Sequence, residues 1–467
     1  MRGAEQIGVR EALQRVRAEI AAGRRFVGAY YDTPGDTREI CYVVADRDDL
    51  TIVAGKIDEE PIPALSSELP AADWAEREMR DFYGVRFDGI PESRSLLPDA
   101  NPWANRRGAG SELSTILYGP VRSGIVESAR WIIETAGEDF IAVYPSMFFK
   151  HRGLERLFTQ VDVARATFVA EHVSGATAAS HATCLARAAE AALGVKVSRA
   201  ANATRAALIE LERIHQHLDA LAKLADDGSL AVGSAQTFAA KELVHRLLAE
   251  ATGNRFARGA VCVGGVFDGV AQALQVVCTR TLDGLEHEVR SVVAGLFATQ
   301  SLLDRLINTG HLNADVVREH GAVGPVARGS GVSTDARMSA DYLFSINEGD
   351  EVLVVDGDAA ARARVRAEEI KRSFFIIRQA LSVEGATVRA CVEPSGRNGT
   401  GIARVESPQG ELVYMVRIVD GALARVWIRS ASFANWPLFV HALPGNIFTD
   451  FSFIEHSFGL IQAETDR

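Results

Sequence analysis

Cysteine is scarce and scattered in this chain: five residues, Cys41, Cys184, Cys262, Cys278 and Cys391, lie far apart, with no Cys-x-x-Cys pair and no His/Cys cluster. An odd, dispersed set reads as reduced, mostly buried thiols rather than a disulfide framework or a cluster-binding site. Long hydrophobic runs are missing too. The most apolar stretch, near Gly259 to Cys278, contains Asp268 and several glycines, and falls short of the roughly 18 to 20 uninterrupted apolar residues that a membrane span needs. The opening Met1-Arg2-Gly3-Ala4-Glu5 leads into an amphipathic segment without the apolar core of a secretory signal. A cytoplasmic location is therefore expected, with membrane contact only through partners. Excess positive charge is a third absence. With a formal net charge of -11 and only short basic runs such as Arg24-Arg25 and Arg106-Arg107, the composition argues against a nucleic-acid surface.

What is present is an ordinary globular composition, 47% hydrophobic and 24% charged over 467 residues, enough for two or three domains. Residues 5–21 carry Val9, Leu13, Val16 and Ile20 at helical spacing. Strand-like runs follow at Arg25 to Tyr31, Arg38 to Ala45 and Asp49 to Val53, separated by turn residues. An acidic helix then ends at Gly84, and a Pro/Gly-rich connector, Pro98 to Gly110, separates this α+β module from the rest. The remainder reads as mainly α-helical. Helical periodicity covers Leu154 to Glu171, Ala176 to Leu193 with Ser174-Gly175 as its N-cap signal, Ala201 to Ala225, Phe238 to Thr252, Val266 to Leu306 and Ala359 to Leu381. A small antiparallel element, Gly401 to Glu406, Glu411 to Val419 and Ala422 to Ile428, turns at Gly410 and Asp420-Gly421.

Polar groups gather at helix junctions in Phe148 to Glu155 and in Glu171 to His181. Titratable groups at such junctions can converge on a cavity; Arg152 and Glu155, three apart, can equally form an ordinary helical ion pair.

Several motifs carry a family resemblance. Glu76-Arg77-Glu78 followed by Asp81-Phe82-Tyr83-Gly84, with Pro91, Arg94 and Leu96-Leu97-Pro98-Asp99 after it, resembles the signature of the 30-kDa-type subunit of respiratory complex I. Gly119-Pro120, His151-Arg152-Gly153-Leu154-Glu155, Cys262-Val263-Gly264-Gly265-Val266 and the Val323 to Val332 run resemble the large subunit shared by complex I (its 49-kDa type) and the membrane-bound [NiFe] hydrogenases. Both modules on one chain is the arrangement of hydrogenase-3/4-type and formate hydrogenlyase complexes. The implied division is a 30-kDa-like α+β domain at 1–105 and a 49-kDa-like, mainly α-helical large-subunit domain with small antiparallel β elements at 106–467.

The resemblance also implies what chemistry is missing. The family holds nickel through two Cys-x-x-Cys pairs, and here those positions fall on Ser174 and Thr177 and on Ile461 and Glu464, while Gly175, His181, Thr465, Asp466 and Arg467 keep the register. Hydroxyls are poor nickel ligands and isoleucine offers no donor, so no metal site is expected. The complex I quinone contacts fall on Val173 and Val126, whose side chains donate no hydrogen bond. Polar contacts would have to come from Glu127, His151, His172, Ser174, Thr177 and Glu464. By resemblance, Arg152 and Glu155, with His181, are the candidate catalytic residues, Glu155 as a proton relay, and Arg328 and Asp335 shape the cavity loop.

The resemblance implies an oxidoreductase-complex subunit that lines a redox cavity beside an iron–sulfur small subunit of the 20-kDa type, with antiporter-type membrane subunits as further partners. It would couple electron transfer to proton movement, with the clusters in the partner, quinone as a possible acceptor, and no cofactor held by this chain. The alternative is a scaffold that keeps the fold and interfaces and performs no chemistry.

Overall fold

The computed structural model describes residues 7–98, 113–122, 127–340, 342–344, 346, 351–385, 389–390, 392–393 and 396–467. In the N-terminal module, α1 (Val9–Ala21) covers a three-stranded antiparallel sheet of β1 (Arg25–Asp32), β2 (Glu39–Ala45) and β3 (Leu50–Lys56). Val9, Leu13 and Val16 are the buried stripe of α1, so the helical period in the sequence marks the face that packs. A short parallel pair, β4 (Ile62–Pro63) and β5 (Phe87–Asp88), brackets α2 (Asp73–Tyr83). Gly84 closes α2 in the left-handed conformation at φ 68°, which glycine adopts without a Cβ penalty.

The second module begins with an antiparallel sheet of β6 (Ser114–Tyr118), β7 (Arg130–Ala136) and β8 (Asp139–Ser146). The sequence reading did not include it. Its signal is the alternation of buried Trp131, Ile133 and Thr135 along β7, a period of two. The expected helix from Leu154 to Glu171 is instead two short ones, α3 (Leu154–Phe158) and α4 (Ala166–Ala170). Asp162 breaks the run: its side chain accepts the Arg165 amide at 2.8 Å and its backbone bridges to Ala422, and such a local bond competes with helix.

The helical body follows as α5 (Ala178–Leu193), α6 (Arg199–Asp227), α7 (Ala231–Thr252), a two-strand clip of β9 (Val261–Cys262) and β10 (Gly265–Val266), α8 (Val270–Phe297) and α9 (Gln300–Leu306). Short α10 (Ala314–Glu319) and α11 (Gly324–Arg328) lead to α12 (Ala359–Leu381). The expected run to Leu306 is interrupted where Thr299 takes an extended conformation between α8 and α9. The long α6 is buried on nearly all sides, packed by α7, α12 and α14.

Antiparallel β11 (Gly399–Ser407), β12 (Gly410–Val419) and β13 (Ala422–Arg429) form the third sheet. α5 lies so close on it that a Cβ at Gly401 would sit 2.1 Å from the Ala188 carbonyl oxygen. The other face of this sheet meets the N-terminal sheet: Val27, Tyr30, Cys41 and Val43 pack on Val413, Met415 and Trp427. The chain closes with α13 (Ala431–Ala442), α14 (Phe451–Phe458) and α15 (Gln462–Asp466).

A candidate reaction cavity

The first residue of α5 does not depend on the expected cap. Thr177 is the N-cap, and neither its side chain nor that of Ser174 bonds the first turn. The Glu212 carboxylate, reaching from α6, accepts the amides of Ala179 at 2.7 Å and Ser180 at 3.1 Å. Burial pushes the Glu212 carboxyl up to about 8 against those hydrogen bonds. This cross-link sets the Ser174–Ala176 loop over α6, where the Gln216 amide donates to the Ala176 carbonyl at 3.1 Å.

Between that loop, one face of α6 and the Gly459–Ala463 segment opens a cavity of about 510 Å³. Gln216, Asp219, Ala220 and Lys223 line it from α6, spaced so that they share one side of the helix. Asp219 holds Lys223 at 2.9 Å and Lys241 of α7 at 2.7 Å; burial raises its pKa, the two ammonium groups outweigh this, and the carboxyl lies below its ordinary range. Arg122 pairs with Glu455 through two contacts of 2.8 Å. His456 faces Asp227 at 2.6 Å, and Arg258 and Phe256 close the wall beside Gly175. The basic residues of this wall were not legible in the sequence, because they come from elements far apart in the chain.

Of the residues singled out from sequence, Glu127, Ser174 and Ile461 line the cavity. Glu127 accepts the amides of Gln462 and Ala463 at the start of α15, with Lys150 at 3.6 Å. Thr177, His181 and Glu464 lie one layer behind, fully buried. Thr177 donates to Glu464 at 2.5 Å, Ser432 donates to its other oxygen at 2.8 Å, and His181 Nε2 is 3.4 Å from the same carboxylate while its Nδ1 meets the Tyr414 hydroxyl at 2.8 Å. Val173 is in the helical core, and Val126 lies outside the described residues.

The others are placed elsewhere. Arg152 and Glu155 do not pair. Arg152 donates to the carbonyls of His172 and Val173, both at 2.7 Å, and of Ala463 at 3.0 Å; burial lowers its pKa. Glu155 binds Arg425 at 2.7 Å, Arg467 at 3.0 Å and the Ile428 amide at 3.1 Å. Burial pushes this carboxyl up, but the two guanidiniums outweigh it and hold it below the ordinary range, the reverse of what a relay near neutral pH requires. His151 is exposed and bonds the Asp466 carbonyl at 2.8 Å, and exposed His172 bonds the Phe168 carbonyl. Arg328 is fully buried among Glu369, Glu406 and Asp335, an ionic cluster apart from the cavity; Asp335 pairs there with Arg337 at 2.6 Å.

An α+β module docked on a long-helix body, with a cavity under the α5 loop and the C-terminal segment, defines a large-subunit type of protein. Residues 6–107 match the 30-kDa subunit, and residues 228–389 the 49-kDa subunit, of respiratory-chain NADH dehydrogenase. The chain therefore carries domains of the complex I 30-kDa and 49-kDa types fused in one polypeptide. It is 28% identical to formate hydrogenlyase subunit 5 of Escherichia coli, over 87% of this chain and 77% of that one. It is 25% identical to hydrogenase-4 component G of the same organism, over 94% and 80%. In fold it is similar to a chain of the membrane-bound sulfane sulfur reductase, an archaeal respiratory membrane complex, with a TM-score of 0.69 at 22% identity, covering 76% of this chain and 99% of that one. It is thus a subunit of an oxidoreductase complex related to complex I and the membrane-bound hydrogenases. Such relatives are parts of multi-subunit membrane assemblies, and no helix among the described residues is long and apolar enough to cross a membrane.

Proposed function

We propose that this chain forms the reaction cavity of such a complex, on its cytoplasmic side, packed against an iron–sulfur small subunit and reaching the membrane through antiporter-type partners. Electrons from the partner's terminal cluster reduce a substrate held in the 510 Å³ cavity, and proton movement accompanies them. The observation that carries this reading is the convergence of the two motif segments at one place: Thr177 hydrogen-bonds Glu464, and Ser174 and Ile461 line the cavity beside them.

A nickel–iron centre does not fit those residues. Nickel in that role needs soft thiolates. The four positions supply two hydroxyls, a carboxylate and a hydrocarbon, with Thr177 and Glu464 engaged by one another. The nearest thiol in sequence, Cys184, is turned to the carbonyls of Ala403 and Leu412, and burial pushes it up to about 12. What the chain's own residues can do is stabilise charge. Reduction adds negative charge to an acceptor, and Arg122, Lys223, Lys241 and Arg258 on the cavity wall favour that charge. A quinone headgroup is one acceptor of suitable size.

The test is the electron paramagnetic resonance spectrum of the intact complex, isolated through a tag on this chain, with and without a short-chain quinone. A shift or oxidation of the partner's terminal cluster is expected. An unchanged spectrum with all partners present would sink the quinone reading and favour a scaffold. The Glu155 geometry suits a scaffold too, since that carboxylate is committed to Arg425 and Arg467.

A further inference from the structure

Two buried donors on the cavity wall have no acceptor. Ser174 is 1% exposed and its hydroxyl has no hydrogen-bond partner. The Nε of Arg258 is likewise buried without a partner. Both residues line the same cavity, as does Gly175, which follows Ser174 and stands against the Arg258 guanidinium. A buried donor left unpaired is costly, more so for a charged group, so such a pair needs a compensating role.

Resting on the cavity reading above, we propose that Arg258 and Ser174 form a subsite for the carboxylate or oxyanion group of a small substrate. Arg258 offers a planar fork suited to two oxygens of one anion, and Ser174 offers a hydroxyl. The carboxylate whose field reaches Arg258 is Glu171. That group already accepts the Gly259 amide at 2.8 Å, and burial pushes its carboxyl up to about 7. Across the cavity, Lys223 and Lys241 share the single carboxylate of Asp219, while the other wall carboxylates are engaged, Glu455 by Arg122 and Glu127 by the amides of Gln462 and Ala463. Gly175 is part of the design: a Cβ there would lie 2.8 Å from Arg258 Nη2 and would push the guanidinium aside. Since guanidinium and hydroxyl present hydrogens, a neutral amide of the same shape as the anion gains much less from them.

The experiment is calorimetric titration of the intact complex with acetate, with sulfate and with neutral acetamide. Saturable binding of acetate or sulfate is expected, acetamide should bind at least tenfold more weakly, and Arg258→Gln and Gly175→Ala should each weaken the anion at least tenfold, with Arg258→Lys in between. Acetate preferred over sulfate marks a carboxylate substrate and the opposite order an oxyanion. Equal affinity for acetate and acetamide overturns the proposal, as does an absence of saturable heat from either anion, or an Arg258→Gln complex that binds like wild type. The cluster spectrum of the same preparation separates the two readings. A quinone-responsive cluster with no anion binding removes the subsite alone, whereas anion binding beside an unresponsive cluster leaves the subsite and removes quinone as acceptor.

Discussion

His217 shows how a single side chain is fixed by its hydrogen-bond partners. Its Nε2 lies 2.7 Å from a Glu369 oxygen and its Nδ1 lies 3.1 Å from an Arg366 guanidinium nitrogen. A guanidinium can only donate, so Nδ1 is the acceptor, Nε2 carries the hydrogen, and the ring is neutral. Burial lowers this pKa to about 4, against the pull of Glu369. The folded value lies below the unfolded one, so the folded state binds fewer protons. Its stabilising contribution is complete above about pH 6.5 and falls as the pH drops toward 4. His217→Gln keeps both hydrogen bonds, since a glutamine amide can donate to Glu369 and accept from Arg366. Urea unfolding of wild type should lose about 3 kcal/mol more than His217→Gln between pH 7 and pH 4; equal losses would refute the neutral buried histidine. At the same scale, Glu155 shows the limit of spacing arguments. Three residues from Arg152, it nonetheless finds its charge partners at Arg425 and Arg467, far away in sequence.

Among the elements, α2 carries the most specific motif, and its signature residues act within the chain. Glu76 accepts the amides of Leu65 at 2.7 Å and Ser66 at 3.1 Å; Asp81 accepts the Leu96 amide at 2.7 Å; Glu78 pairs with Arg467. Trp74 meets Phe433 edge-on at 5.6 Å and Phe82 meets Phe148 at 5.4 Å. This helix is therefore docked, at least in part, on the second module of the same chain. Gly84 ends the helix at φ 68° with open space where a Cβ would stand. Gly84→Ala should then cost only the left-handed backbone penalty, about 1 to 2 kcal/mol, read as a lowered urea midpoint. A much larger loss would mean that this turn carries contacts beyond its own backbone.

For the molecule as a whole, the two modules are joined by a sheet-on-sheet interface rather than by the connector alone. Tyr30 stacks on Trp427 at 4.8 Å between ring centroids, and a Cβ on Gly28 would come within 3.0 Å of the same indole. Ion pairs rim the contact, Arg25 with Glu411 at 2.7 Å and Arg417 with Asp32 at 2.8 Å. Removing the indole should cost about 3 to 5 kcal/mol and uncouple the modules. A Trp427→Ala chain should thus melt in two calorimetric steps where wild type melts in one; a single step in both would show that the interface is not what couples them.

By itself the sequence determined the local and periodic features. The stripe of α1, the strands of the first and third sheets, the glycine stop after α2 and the long central helices all follow from apolar spacing and turn residues, because those signals act within a few residues. The motifs fixed the register that aligns Ser174 and Thr177 with Ile461 and Glu464. Tertiary structure alone decided which charges meet. Arg122 with Glu455, Lys241 with Asp219, Arg258 beside Gly175, and Glu212 at the head of α5 come together from segments well separated in the chain. The physical reason is that a charge taken out of water needs a partner wherever the fold can supply one, and for these groups that partner is chosen by packing between distant segments rather than by spacing along the chain.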